Sequence, residues 1–253
     1  MGTRGALAWL AFAILLAAPC AAPAAESRAL EDFTWIELRD RIAAGSTTIL
    51  VPIGGTEQNG PHMALGKHNV RVKFLAHRIA AELGNALVAP VIAYVPEGRV
   101  DPPSGHMRLP GTISVPDDAF EKTLESAARS LKRHGFRDVV FLGDHGDYQK
   151  NLKAVADRLN REWAATAVRA HALAEYYRAA QIGEHAGADD TSLSLAIDPG
   201  LVREERLRTQ PKPSAAEGVY GDPRAASAEK GREILERVVR QSVQAIRKAT
   251  ATR

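Results

Sequence analysis

Five of the chain's eight histidines, His62, His68, His106, His145 and His185, fall in segments marked by glycine or proline. Three of those segments also carry carboxylates. The first, I-G-G-T-E-Q-N-G-P-H-M-A-L-G-K-H-N over residues 53–69, holds Glu57 with His62 and His68; Asp144 flanks His145; Asp190 follows His185. Imidazole nitrogen mixed with carboxylate oxygen suits zinc, manganese or iron. A cation held this way acidifies a bound water and polarises a carbonyl, which is the machinery of hydrolysis. The donors form no single local motif, since there is neither HExxH nor a Cys/His pair. Ser104 and Ser192 sit in no G-x-S-x-G elbow, no Walker pattern is present, and Gly54-Gly55 lacks the third glycine of a dinucleotide fingerprint. His77 and His134 lie in helical patterns and read as surface or structural residues, while His171 stays open.

Strand and helix alternate around these loops. A helix is expected over 34–43, with Trp35 and Leu38 inward, and a buried strand over 48–53. Val72, Leu75, Ile79 and Leu83 recur at helical spacing from about Asn69, and residues 86–95 read as a second strand bent at Pro90. A long loop, 96–116, precedes a helix from Asp117 closed by Gly135. Val139 to Leu142 is the clearest buried strand and runs directly into Gly143-Asp144-His145-Gly146-Asp147. A helix through Leu152 and Trp163, a strand near 167–172, a helix around 192–196 and an amphipathic helix over about 225–247 complete the order. This pattern predicts an α/β fold with a mostly parallel sheet covered by helices on both faces. Loops leaving the carboxyl ends of its strands would then converge in one cleft.

Composition narrows the function classes. Net charge is +3 over 253 residues, and Lys and Arg are interleaved with Glu and Asp on helices, so no nucleic-acid partner is expected. Arg4, the apolar run 6–18 and Ala22-Pro23-Ala24 fit an export signal over residues 1–25, leaving one domain over 26–253. That apolar run is too short for a stable membrane anchor. Cleavage would remove Cys20, the sole cysteine, so the exported protein would have neither disulfide nor thiol nucleophile, in keeping with a bacterial periplasm.

Five ordered blocks resemble the creatininase family over most of the chain. They are Gly55-Thr56-Glu57-Gln58-Asn59-Gly60-Pro61-His62, His106 with Leu109-Pro110-Gly111-Thr112-Ile113-Ser114, and Gly143-Asp144-His145-Gly146. The others are His185-Ala186-Gly187 through Asp190-Thr191-Ser192, and Gly218-Val219-Tyr220-Gly221-Asp222-Pro223 with Glu229-Lys230-Gly231. The resemblance implies a three-layer αβα fold, assembly as homo-oligomers, and metal-dependent hydrolysis of non-peptide amide C–N bonds in a small molecule, of cyclic amide or formamide type.

Carried over by position, Glu57 and His145 stand where the family has metal ligands. Asn59 replaces a ligand histidine, His68 stands where a bridging aspartate is expected, and Gly105 replaces a glutamate before His106. Ala188 replaces one glutamate of the fourth block, and Asp190 keeps a shorter carboxylate at the next. A neutral imidazole has one lone pair and bridges two cations poorly. The expectation is therefore one divalent ion, zinc or manganese, held by Glu57, His68 and His145 with Asp144 or Asp190. Asp190 or His185 would act as general base, and His106 would orient substrate or stabilise its oxyanion. Creatinine-hydrolysing members close their pocket with tryptophans, and this chain has none after Trp163, so creatinine is not the expected substrate. The competing expectation is a non-catalytic small-molecule-binding protein that kept the fold and lost the dinuclear site.

Overall fold

The computed structural model describes residues 27–180 and 183–251. The expected signal segment and Cys20 lie outside them. Four strands form one parallel sheet: β1 (Thr48–Ile53), β2 (Ala86–Val88), β3 (Asp138–Gly143) and β4 (Arg169–Ala172), in the order β2-β1-β3-β4. β1 and β3 are buried at every residue, as central parallel strands must be when helices cover both faces.

The two faces follow the period of two along the strands. Leu50, Val140 and Leu142 point to one side, against α2 (Lys67–Leu83), α5 (Ala174–Ala180), α6 (Ala188–Ile197) and α8 (Ala228–Ala251). Ile49, Val51, Val139 and Phe141 point to the other, against α3 (Asp117–His134) and α4 (Gln149–Glu162), with α1 (Trp35–Ala43) at the margin. The short α7 (Glu204–Thr209) joins a third cluster around Met63, Leu195 and Leu201. The layers are αβα, as expected. Among the described residues no helix is long and apolar enough to cross a membrane.

Three local expectations are corrected. The second strand pairs over three residues only, because Pro90 has no N–H for the ladder; the chain rejoins the sheet edge as a single bridge between Ile53 and Ile92. Trp35 is 71% exposed, and Phe33, one residue before the Thr34 cap, packs inward in its place beside Leu38. α6 begins at Ala188, so Asp190 lies in its first helical turn, where a carboxylate is favoured by the exposed N–H groups.

The register brings the site loops together. Ile53 and Gly143 are partners at the ends of β1 and β3, and the Asp144 N–H donates to the Ile53 carbonyl at 3.0 Å. The buried Tyr148 hydroxyl ties both exits: it accepts from the N–H groups of Asp144 and His145 at 3.1 Å and lies 2.8 and 2.7 Å from the carbonyls of Ile53 and Gly54. The Gly54 N–H donates to the Ile92 carbonyl at 3.0 Å, drawing the 96–116 loop to the same edge.

Candidate metal centre

Four side chains from three loops meet above the ends of β1 and β3. One ligand atom from each of Glu57, Glu97, His106 and His145 lies within 4.8 Å of the others. His145 Nε2 is 3.1 Å from Glu57 Oε2 and 3.6 Å from Glu97 Oε2, and His106 Nε2 is 3.3 Å from Glu57 Oε2. Both carboxylates are wholly buried, and apart from these two imidazoles Glu57 Oε2 and both Glu97 oxygens have no hydrogen-bond partner among the described residues. Three orphaned carboxylate oxygens facing imidazole nitrogens are costly to bury unless a cation joins them. The donor set thus fits a divalent ion of the zinc or manganese type.

The charges agree with this fit. Burial pushes Glu97 up to about 8, with Glu57 adding to the rise. Burial opposes charge on Glu57 as well, but His68 and His145 override it and hold its carboxyl well below the usual range. Against its own burial, His145 is raised to about 9 by the adjacent Glu57 and Glu97. An imidazolium therefore faces the carboxylates where a metal would otherwise supply the positive charge.

Gln58 organises the opposite wall. Its Oε1 accepts the Gly60 N–H at 3.0 Å, which orients the amide, and its Nε2 lies 3.0 Å from His106 Nδ1 and 3.2 Å from the Gly218 carbonyl. A donor at Nδ1 leaves the proton of a neutral His106 on Nε2, facing the centre, and burial keeps that ring neutral. His185 Nε2 sits 2.9 Å from the Gln58 carbonyl oxygen and 3.2 Å from Gln58 Nε2, and its Nδ1 is 3.6 Å from Glu57 Oε1. Burial, with Lys67 nearby, lowers His185 to about 3. Thr112 links these pieces: its hydroxyl accepts the Gln58 N–H at 3.0 Å and donates to the His106 carbonyl at 2.8 Å. The Tyr220 N–H donates to the His185 carbonyl at 2.9 Å, so the tail block braces the His185 loop.

His68 and Asp144 lie beside this donor set, in an ion network. His68 Nε2 is 2.7 Å from Glu57 Oε1 and Nδ1 is 2.6 Å from Asp144 Oδ2. Arg71 donates to the same Asp144 oxygen at 2.6 and 3.0 Å and also bonds Asp190, which pairs in addition with Lys67. These two cations outweigh burial and hold the Asp190 carboxyl far below the carboxylate range, so in this arrangement it is a poor proton acceptor. Asn59 braces the loop, donating to the carbonyls of Glu57 at 2.9 Å and Ala64 at 3.1 Å. His62 bonds Thr191 at 3.1 Å, and burial lowers it to about 4. Above the centre lies a cavity of about 190 Å³ lined by Lys67, His68, Arg71, His106, His145 and His185.

Sequence reasoning did not find Glu97, Lys67 or Arg71. Glu97 had a signal, a carboxylate between Pro96 and Gly98 opening the long loop. Lys67 and Arg71 had one too: the buried stripe Leu75–Ile79 of α2, continued backward at steps of four, reaches Arg71 and then Lys67.

Comparisons with known proteins point to one family. A family model, Creatininase (creatinine amidohydrolase), matches residues 31–246. Creatinine amidohydrolase of Pseudomonas putida is 27% identical over 248 residues, covering 85% of this chain and 95% of its own. Mycofactocin precursor peptide peptidase of Mycolicibacterium smegmatis is 29% identical over 217 residues, covering 76% and 81%. A solved creatininase described as the Mn form superposes with a TM-score of 0.76 at 28% identity, over 88% of this chain and 99% of that one. A mutant creatininase of Zn-Zn type gives 0.72 at 29% identity, over 88% and 98%.

Proposed function

Because the chain belongs to the creatininase family, we propose that it is a metal-dependent hydrolase of a non-peptide amide C–N bond in a small polar molecule, of cyclic amide or formamide type. The observation that carries this reading is the set of three orphaned, buried carboxylate oxygens of Glu57 and Glu97 facing His145 beneath a cavity. Glu57, Glu97 and His145 would hold one divalent ion, zinc or manganese. Bound there, such an ion supplies polarisation of the scissile carbonyl and acidification of water.

The chain's own residues supply the rest. The His106 Nε2–H is directed at the centre and donates to oxygen as negative charge develops on it. His185, which burial keeps neutral, stands with Nδ1 3.6 Å from Glu57 Oε1 and would orient the attacking water by hydrogen bonding, with Gln58 holding the ring from behind. Asp190 holds Lys67 and Arg71 in place instead of moving protons. A cavity of about 190 Å³ suits a substrate of few heavy atoms.

The test is a panel of cyclic amides, formamides and short amides incubated with zinc- or manganese-loaded protein. Hydrolysis of one class, abolished by a chelator and restored by the metal, supports the enzyme. Tight binding of a panel member by metal-free protein, with no turnover on loading, favours the binding-protein reading.

A further inference from the structure

Helix α2 opens with three groups that donate into the site: Lys67, His68 and Arg71, all buried. They meet three buried carboxylates from three other segments. Lys67 Nζ bonds Asp190 Oδ2 and lies 3.8 Å from Glu57 Oε1. His68 spans Glu57 Oε1 and Asp144 Oδ2, and Arg71 spans Asp144 Oδ2 and Asp190 Oδ1. Tyr176 donates to Asp144 Oδ1 at 2.7 Å, and the Ala186 N–H donates to Asp190 Oδ2 at 2.9 Å.

The oxygens thus divide into two groups. Glu57 Oε1 and all four oxygens of Asp144 and Asp190 have donors from the chain. Among the described residues, Glu57 Oε2 and both oxygens of Glu97 have no cation from α2 and face only imidazoles: His145 Nε2 at 3.1 Å and His106 Nε2 at 3.3 Å from Glu57 Oε2, and His145 Nε2 at 3.6 Å from Glu97 Oε2. Glu57 is the shared wall, with one oxygen facing each side. On one side the protein brings Lys67, His68 and Arg71; on the other it sets a cluster of carboxylate and imidazole donors of the kind that holds a cation.

We propose that Lys67 is a resident second cation: with Arg71 it takes up the carboxylates beside Glu57 Oε1 that a second divalent ion would need, and so limits each chain to one metal ion. This rests on the reading of Glu57, Glu97 and His145 as a metal centre. An ammonium is a compact point charge with three donors, and it can stand among carboxylates as a small cation does. Unlike a metal, it offers no empty orbital, so Lewis-acid chemistry is confined to the Glu97 side. Lys67 also lines the cavity, where its charge favours substrates that carry an oxygen-rich or anionic group.

The test titrates metal-free full-length chain with Zn²⁺, reading stoichiometry by native mass spectrometry and elemental analysis. The wild type is expected to saturate at one equivalent, and Lys67→Ala at two, with methylammonium competing for the second. Lys67→Arg, which keeps a cation, should stay at one. A wild type that takes two equivalents overturns the proposal, as does a folded Lys67→Ala variant that stops at one. Zero equivalents in the wild type would instead remove the metal centre itself. Should Lys67→Ala fail to fold, ¹⁵N-lysine spectra of the wild type decide: the Lys67 ammonium signal stays in place and slowly exchanging at saturating Zn²⁺, and its displacement overturns the proposal.

Discussion

Gly55 and Glu97 touch so closely that a Cβ on Gly55 would lie 2.5 Å from Glu97 Oε1. Gly55 also has φ +150°, a backbone conformation that side chains rarely adopt. The glycine therefore admits the Glu97 carboxylate to the centre. Gly55→Ala is expected to push it aside and weaken zinc affinity by about 10- to 100-fold, the range seen when groups supporting metal ligands are disturbed. Titration calorimetry of the variant checks this, and unchanged affinity would remove Glu97 from the ligand set.

Proton balance gives a second prediction. Glu97 is pushed up to about 8 and His145 to about 9, against ordinary values of 4.5 and 6.5. Both hold protons at neutral pH in the metal-free protein, and a cation must displace them. Affinity should strengthen as pH rises from about 6 to 9, with proton release visible as a dependence on buffer ionisation enthalpy. For stability the sign is the reverse. These two groups bind more protons folded than unfolded, so their contribution falls as pH rises from about 5 to 9, and saturating zinc removes the decline. Thermal unfolding with and without zinc across that window measures it; parallel curves would contradict the charge assignment.

The ion network predicts a stability effect separable from metal binding. Asp190→Asn leaves Lys67 and Arg71 buried with one carboxylate partner fewer, and removing one partner of such a pair costs about 3–5 kcal/mol. Urea unfolding of the metal-free variant should show a loss of this size. A loss below about 1 kcal/mol would mean that the pairs are solvated in solution.

His185→Gln separates the water-orienting ring from the metal ligands. It keeps a hydrogen-bonding side chain but loses the ring geometry, so kcat on the substrate found by the amide panel is expected to fall by about 100-fold. Zinc content should stay as in the parent. A variant that loses zinc as well would make His185 a ligand.

The layers of this fold were legible because β1 and β3 carry unbroken apolar runs and the helices between them repeat at the helical period. β2 was read too long because the apolar run through Val95 continues past Pro90, where the missing N–H ends the ladder. At the site, Glu57, His106, His145 and His185 were legible because each stands in a glycine-marked loop at the edge where the strands end. Glu97 was not, since its proximity depends on Gly55, 42 positions away, and on the bridge between Ile53 and Ile92. Lys67 was read as part of the loop before the helix, and Arg71 as an ordinary helix-surface cation. Only the buried stripe below them marks them as inward-facing, and only the folded chain supplies Asp144 and Asp190 as partners.

The metal centre itself is tested most directly by elemental analysis of protein purified without chelator, alongside Glu57→Gln, whose carboxyl oxygen Oε2 lies at the middle of the cluster. About one zinc or manganese per chain is expected in the wild type and essentially none in Glu57→Gln. A wild type that carries no transition metal and gains no thermal stability from added zinc or manganese would contradict it.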